Sequence, residues 1–407
     1  MRGKEPERGV AALRRAEGDT VGTCSKAFER VVAQRLGFRQ ETNLPREKNL
    51  RNDEIMLGDS MKARLPFLPG LRVCATIKGP IPPFVRRESM ESNPCGAPHY
   101  GPFLERIRER IPQDRLLLNA PMREHTTLKI GGPADLLITA QSAEEIAFLI
   151  RLASEYGVPM MMLGNGSNLL VRDGGIRGLV VRMGEAMAEI TVEGTRLTAK
   201  AGASLAAVTK EAARHSLAGL CFACGIPGTV GGGVYMNAGA YGGELKEAVL
   251  RVEAVSESGK ILFFTGEQMH FGYRHSLAQE ENLIITSVTF QLAPGDRETI
   301  LSDMREFNRR RNEKQPMDVP SAGSTFKRPE GHYAGQLIDQ AGLRGTRVGA
   351  AQVSEKHAGF LVNTGNATAA EYLALIALVQ RVVFEKSGVS LAPEVRIVGE
   401  DTPVHLV

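Results

Sequence analysis

Gly225-Ile-Pro-Gly-Thr-Val-Gly-Gly-Gly-Val-Tyr-Met-Asn-Ala-Gly-Ala-Tyr-Gly-Gly243 holds eight glycines in nineteen residues and no charged side chain. So much glycine costs conformational entropy, so a purely structural segment would not normally carry it. Ile226, Val230, Val234 and Met236 are available for burial, which separates the stretch from a polar linker. A backbone pressed against a flat or anionic cofactor accounts for both features. A second glycine loop, Gly164-Asn-Gly-Ser-Asn168, follows the apolar run Val158–Leu163 directly. Its N–H groups can turn toward anionic oxygens, and Ser167 and Asn168 add side-chain donors. A tight surface turn would explain this loop if it stood alone. Lys129-Ile-Gly-Gly132, inside Thr127–Pro133, is a third segment of this kind. Together the three suggest a long dinucleotide held mainly by backbone. None is a G-x-G-x-x-G that opens a helix, and none carries the lysine of a P-loop, so a nicotinamide Rossmann site and an NTPase are disfavoured.

Around these loops the pattern alternates between strand and helix. Phe103–Ile111 predicts a short helix and Ala134–Thr139 a strand. Ser142-Ala-Glu-Glu145 reads as a capping box, with the Ser142 oxygen on a free N–H and the Glu145 side chain reaching back to the N–H of Ser142. The helix it opens should run to Tyr156 and stop at Gly157, and Val158–Leu163 should be a buried strand. Further strands are expected at Leu179–Arg182, Ile190–Val192, Arg196–Lys200, Val249–Val255, Ile261–Phe264, Leu283–Gln291 and Glu394–Val398. Ser204 should cap a helix to about His215. Helices are also expected at Arg297–Lys314 and after a second capping box, Thr368-x-x-Glu371, to about Lys386. The sum is an α+β chain in two or more lobes, with no internal repeat.

Residues 1–98 read differently. Prolines cluster at Pro66, Pro69, Pro80, Pro82, Pro83 and Pro94, and no apolar period is sustained. This predicts a mostly disordered extension with one short helix near Ala27–Leu36. It is either a true tail or sequence upstream of a shorter chain, for which Met90 is an internal candidate start. The stretch carries 18 Lys and Arg against 12 Asp and Glu, so the basic excess of the 407-residue chain, +4 in all, belongs to it. The remainder gives no electrostatic reason to expect nucleic-acid binding. No apolar run approaches the ~18 residues of a membrane helix, and the N-terminus has no secretory core, which points to the cytoplasm. Five cysteines do not form a disulfide framework. Cys221-x-x-Cys224 reads better as two small apolar residues beside the glycine loop than as a redox pair or half of a zinc site, and no metal is expected.

The polar segments of the C-terminal half are Phe271-Gly-Tyr-Arg-His-Ser276, Ser321-Ala-Gly-Ser-Thr-Phe-Lys-Arg-Pro329 and Pro393-Glu-Val-Arg396. No hydrolase elbow or H-E-x-x-H is present. With Leu128–Asp135, Leu163–Leu170, Gly225–Glu244, Gln315-Pro316, Pro320–Pro329 and Ser354-Glu-Lys-His-Ala-Gly-Phe360, these runs stand in the order of one known family. From about Pro102 to Gly399, almost three quarters of the chain, the sequence resembles the UDP-N-acetylenolpyruvoylglucosamine reductases, the MurB family, in their shorter type II branch.

The resemblance implies an α+β fold: an FAD-binding domain of the vanillyl-alcohol-oxidase (PCMH) type in two subdomains, residues 99–296, and a C-terminal α+β substrate-binding domain, residues 297–403. It implies a flavoenzyme that reduces UDP-N-acetylglucosamine enolpyruvate to UDP-N-acetylmuramate with NADPH as co-substrate, FAD being held non-covalently. Arg274, Ser324 and Glu394 fall on the family's active-site positions: Ser324 as proton donor, Arg274 and a protonated or proton-sharing Glu394 as stabilisers of the enolate. FAD is expected against Lys129, Ile130, Gly131, Gly132, Leu163, Gly164, Asn165, Gly166, Ser167 and Asn168, and against Gly225, Ile226, Pro227, Gly228, Thr229, Gly231, Gly232, Asn237, Ala238, Gly239 and Ala240. Tyr273 and Lys327 are expected on the substrate, with Arg310 and Arg311 at its diphosphate, although a solvated helix end explains those two arginines equally well. Arg328 has no assigned role. The expected protein is a monomer acting on small molecules, without nucleic acid or membrane insertion. Two rivals remain, an FAD oxidase of the same fold acting on a sugar or alcohol, and a non-catalytic flavin scaffold.

Overall fold

The computed structural model describes residues 100–402. The extension 1–98, the helix expected at Ala27–Leu36 and Met90 lie outside the described residues. Three lobes follow in chain order. The first begins with α1 (Gly101–Arg108), β1 (Leu116–Pro121), β2 (Pro133–Ala140), α2 (Ala143–Glu155) and β3 (Met160–Leu163), and ends with β4 (Leu169–Val171) and β5 (Ile176–Met183). Its sheet has the order β1-β2-β5-β3, with β5 parallel to both neighbours. The β2-α2-β3 unit expected from sequence is therefore real, but β5 is inserted between its two strands. β5 lies deepest, with Leu179, Val180 and Val181 fully buried, whereas β3 is half-buried apart from Leu163.

The N-terminus of α2 shows a departure with a clear cause. Ser142 Oγ accepts from the Glu145 N–H at 3.2 Å as expected, but the Glu145 carboxylate does not return to Ser142. It accepts instead from the N–H of Gln141 and takes the Arg115 guanidinium in a two-pronged pair at 2.8 and 2.9 Å. A charge-assisted fork outcompetes a single neutral N–H.

The second lobe contains β6 (Ile190–Glu193), β7 (Arg196–Lys200), α3 (Leu205–Arg214), β8 (Leu217–Ala218), α4 (Val230–Tyr235) and the small hairpin β9 (Gly239–Ala240) with β10 (Gly243–Glu244). It continues with β11 (Val249–Val255), β12 (Ile261–Thr265), α5 (Leu277–Glu280), β13 (Ile284–Gln291), β14 (Ala293–Pro294) and α6 (Arg297–Lys314). Five strands form an antiparallel sheet in the order β12-β11-β13-β7-β6, and Leu197, Val252, Val288 and Phe290 fill the core on one face. Helix α6 spans the predicted residues, but it packs on this lobe. Its Ile300 and Met304 sit with Ala213 and Cys224, and the Cys221 and Cys224 thiols face the Ile300 and Met304 carbonyls at 3.9 and 3.6 Å. By packing, α6 therefore goes with the second lobe. Burial pushes both thiols up, which suits the apolar-filler reading of Cys221 and Cys224.

The third lobe has α7 (Ala334–Gln340), a three-stranded sheet of β15 (Arg347–Val348), β16 (Ala351–Val353) and β17 (Leu361–Asn363), the long α8 (Ala369–Ser387) and β18 (Arg396–Val398). It is stitched to the first lobe. β18 pairs in parallel with β4, and Leu128, Ile130 and Leu170 lie in the same core as Phe326, Tyr372 and Val379. At the start of α8 the capping box expected from sequence is complete. A first-lobe residue adds to it: Asp173 accepts from the Ala369 and Ala370 N–H groups at 2.8 and 2.9 Å. A carboxylate there satisfies two orphan donors and faces the positive end of the helix. Asp173→Ala is expected to lower stability by about 1–2 kcal/mol, read as a shift of the urea midpoint, and Asp173→Asn by less. Equal midpoints for Asp173→Ala and wild type would show that the cap carries no weight.

Candidate active site

The three glycine segments differ in what their backbone is free to do. In loop one, Gly166 has φ +61°, and a β-carbon there would stand 2.4 Å from the His125 carbonyl oxygen, so only glycine fits. Among the described residues, none of the N–H groups of Gly164, Asn165, Gly166, Ser167 and Asn168 donates to a protein acceptor. Five consecutive donors at the C-terminal end of β3 suit a diphosphate. Loop two lies beside loop one, with Asn165 Nδ2 donating to the Pro227 carbonyl at 3.4 Å. The Gly228 and Thr229 N–H groups are likewise left without a protein acceptor among the described residues. The residues present therefore fit FAD.

Loop two is not the open glycine backbone expected. Six of its residues form α4, capped by Thr229 Oγ1 on the Gly232 N–H at 3.3 Å. The Val230 and Gly231 N–H groups go to the Ala203 and Ala201 carbonyls, and Gly231 is buried against Ala201. Gly232 is exposed at the start of the helix. Ala238 is half-buried beside the second-lobe core, and Gly239 and Ala240 pair with Glu244 and Gly243. Ile226 also packs against that core. In the third segment, a β-carbon on Gly132 would stand 2.1 Å from the Asp173 carbonyl oxygen, and Ile130 is buried in the third-lobe core. Close protein packing accounts for those glycines. Lys129, with φ +55°, has its carbonyl bonded by Asn363 Nδ2.

Asn237 is fully buried, and its side chain is used within the protein. Nδ2 donates to Glu244 Oε2 and the Gly272 carbonyl at 3.1 and 3.0 Å, and Oδ1 accepts from the Lys246 N–H. Through these bonds the Asn237 side chain anchors the turn that carries Arg274.

That turn is Gly272-Tyr-Arg-His275, closed by reciprocal backbone bonds between Gly272 and His275 at 3.1 and 3.3 Å. Arg274 sits in it at φ +55°, a conformation usually left to glycine or asparagine. Its Nε donates to Glu394 Oε1 at 2.6 Å, both side chains being largely buried at 21% and 13% exposure. Glu244 also feels Arg274: the hydrogen bond from Lys246, working against burial, holds its carboxyl below the usual range, and Asn237 and the Arg274 charge add to this.

Glu394 and Ser324 are brought together by backbone. The Glu394 N–H donates to the Thr325 carbonyl at 2.8 Å, and the Lys327 N–H to Ala392. Thr325 is fixed from behind, its hydroxyl 3.3 Å from that of buried Tyr372 and accepting from the Leu361 N–H. Ser324 Oγ makes only a weak 3.4 Å contact with the Phe326 carbonyl and is free to serve a ligand. Asn168 of loop one donates to the Glu394 carbonyl at 3.2 Å, which ties loop one to the Glu394 segment. Tyr273 is exposed, accepts from the Arg328 N–H at 3.3 Å and lies beside Arg274. Lys327 is exposed at the same rim.

The two α6 arginines do not converge. Arg310 is exposed and paired with Glu306 at 2.7 Å on its own helix. Arg311 turns inward to lie against Gly225, and burial pulls its guanidinium below the usual arginine range. Asp173, which caps α8, and Gln279, whose Nε2 donates to the Arg274 carbonyl at 3.1 Å, carry no motif, and nothing in the sequence points to them.

Residues 134–265 match the family model of an FAD binding domain, and residues 315–398 that of the UDP-N-acetylenolpyruvoylglucosamine reductase C-terminal domain. The second match begins just past α6, where the packing changes lobes. The chain is 50% identical over 298 residues to the UDP-N-acetylenolpyruvoylglucosamine reductase of Caldanaerobacter subterraneus subsp. tengcongensis, covering 73% of this chain and 98% of that protein. It is 47% identical over 299 residues to the protein of that name from Exiguobacterium sibiricum, covering 74% and 98%. The crystal structure of the reductase (MurB) from Thermus caldophilus superposes with a TM-score of 0.61 at 39% identity, over 69% of this chain and 97% of that one. The α+β fold is thus that of an FAD-binding oxidoreductase, with no helix among the described residues long and apolar enough to cross a membrane. Spanning nearly the whole length of relatives at this identity, the chain belongs to the UDP-N-acetylenolpyruvoylglucosamine reductase (MurB) family.

Proposed function

We propose that this chain reduces the enolpyruvyl group of UDP-N-acetylglucosamine enolpyruvate to give UDP-N-acetylmuramate, a cytoplasmic step of peptidoglycan synthesis, using NADPH and non-covalently held FAD. FAD, which the free N–H groups of loop one and of Gly228 and Thr229 would hold, would supply the two-electron chemistry between NADPH and the enolpyruvyl double bond. The chain's own residues act on what this leaves behind. Negative charge develops at C2 and spreads into the carboxylate. Arg274, held by Glu394, faces that charge with a guanidinium already in place, so little reorganisation is needed as the reaction proceeds. Ser324 gives the proton to C2. Tyr273 and Lys327 at the rim hold the substrate. The observation that carries the reading is the 2.6 Å Arg274–Glu394 pair on the backbone that also presents Ser324.

A stopped-flow absorbance trace tests it. Protein reduced anaerobically with NADPH is mixed with UDP-N-acetylglucosamine enolpyruvate, and the oxidised-flavin band is expected to return within a turnover. Reoxidation by oxygen alone would favour a sugar or alcohol oxidase of the same fold. Protein that binds no flavin would sink the reading of loops one and two.

A further inference from the structure

Arg274 occupies a turn position that ordinary side chains avoid, so something must hold it there. The turn is fixed at three points. Gly272 and His275 exchange backbone bonds, and Asn237 Nδ2 holds the Gly272 carbonyl at 3.0 Å. The third point is Gln279 on α5, whose Nε2 donates to the Arg274 carbonyl at 3.1 Å and to the Tyr235 carbonyl at 2.7 Å. An amide nitrogen has two protons, and both are used. Tyr235 ends α4, the helix of the second glycine loop. One side chain therefore ties the cofactor loop to the peptide that follows Arg274, and fixing that peptide fixes where the Arg274 side chain leaves the turn.

We propose that Gln279 is a positioning residue, its amide clamping the Arg274 carbonyl onto the end of α4 so that the left-handed turn presents the guanidinium to Glu394. The proposal rests on the reading of Arg274 as the group that meets the developing charge. Without the clamp the turn relaxes toward ordinary backbone and the guanidinium leaves its place. The fold has no need of the same contact. The Tyr235 carbonyl keeps Ser276 Oγ at 2.7 Å and the contact with Met236 Sδ is a long 3.8 Å, so the loss of Gln279 falls mainly on the Arg274 carbonyl.

The test is Gln279→Met, close in length but without donors, measured beside Arg274→Met and the double variant. Flavin content, thermal midpoint and the rate of reduction by NADPH are expected to stay within about twofold of wild type or unshifted. Reoxidation by UDP-N-acetylglucosamine enolpyruvate is expected to slow about tenfold or more, since a misplacement of ~1 Å near the reacting atoms can cost two orders of magnitude. In the Arg274→Met background, adding Gln279→Met should slow it no further, because the clamp acts only through Arg274. Equal slowing of both half-reactions, or loss of flavin, would make Gln279 a general structural residue and overturn the proposal. Unchanged reoxidation in Gln279→Met, with Arg274→Met slow, would overturn the clamp alone. Unchanged reoxidation in Arg274→Met itself would overturn the role of Arg274, and the clamp with it.

Discussion

Ser324→Ala is expected to leave flavin reduction by NADPH at its wild-type rate and to slow reoxidation by UDP-N-acetylglucosamine enolpyruvate about 10²- to 10⁴-fold, the range of a lost general acid. The split arises because the proton from Ser324 is needed only where C2 must be protonated. Confounding by misfolding is small. Ser324 Oγ contributes one 3.4 Å contact, while its segment is held by the Thr325 N–H on the Gly359 carbonyl and the Thr325 hydroxyl beside Tyr372. Removing the hydroxyl should shift stability by no more than about 0.5 kcal/mol. Anaerobic stopped-flow on both half-reactions, with a solvent deuterium effect on the second, decides the matter. Wild-type speed in both would move the proton donor elsewhere. Loss of both would mean that Ser324 shapes the pocket instead of supplying a proton.

The parts of this site differ in how legible they were in the sequence. Loop one was legible because a Gly-Asn-Gly-Ser-Asn run after a strand, beside two other glycine segments, favours exposed N–H groups over a plain surface turn, and those groups have no protein acceptor among the described residues. Loop two misled in detail. Val230–Tyr235 has low helix propensity, three glycines in six residues, yet it is helical because Thr229 caps it and the Ala201 and Ala203 carbonyls receive its first N–H groups. Tertiary partners overrode local preference, and they lie some thirty residues away. Asn237 shows a related limit: nothing in the sequence foretells that its side chain is spent on Glu244, Gly272 and Lys246. The Glu145 departure has the same origin, since Arg115 lies thirty residues upstream in a turn with no periodic pattern. Several strands of two or three residues, β4 and β15 to β17 among them, were missed because too few side chains alternate to show a period of two. β4 matters most among them, because its pairing with β18 brings Glu394 to Asn168.

Arg274 allows a second large effect to separate catalytic need from conformational strain. Arg274→Ala and Arg274→Gly are both expected to slow reoxidation by the enolpyruvyl substrate about 10²- to 10³-fold, the scale of losing one preorganised charge partner. Their stabilities should differ. Each leaves Glu394, 13% exposed, without its guanidinium, at a cost of about 1–3 kcal/mol. Glycine, however, takes φ +55° without the clash that a β-carbon meets, so Arg274→Gly should be more stable than Arg274→Ala by about 1 kcal/mol despite glycine's larger unfolded-state entropy. Urea midpoints of the two variants measure this directly. Adding Glu394→Gln to either variant removes the unpaired charge, so the combined loss of stability should be less than the sum of the single losses. An alanine variant as stable as the glycine variant would mean that the turn rearranges once the guanidinium is gone, and that the pair with Glu394, more than the backbone around it, holds residue 274 in the left-handed region. If the glycine variant is the more stable and is as inactive as the alanine variant, this chain keeps an arginine at a glycine position for its charge, at the expense of its fold.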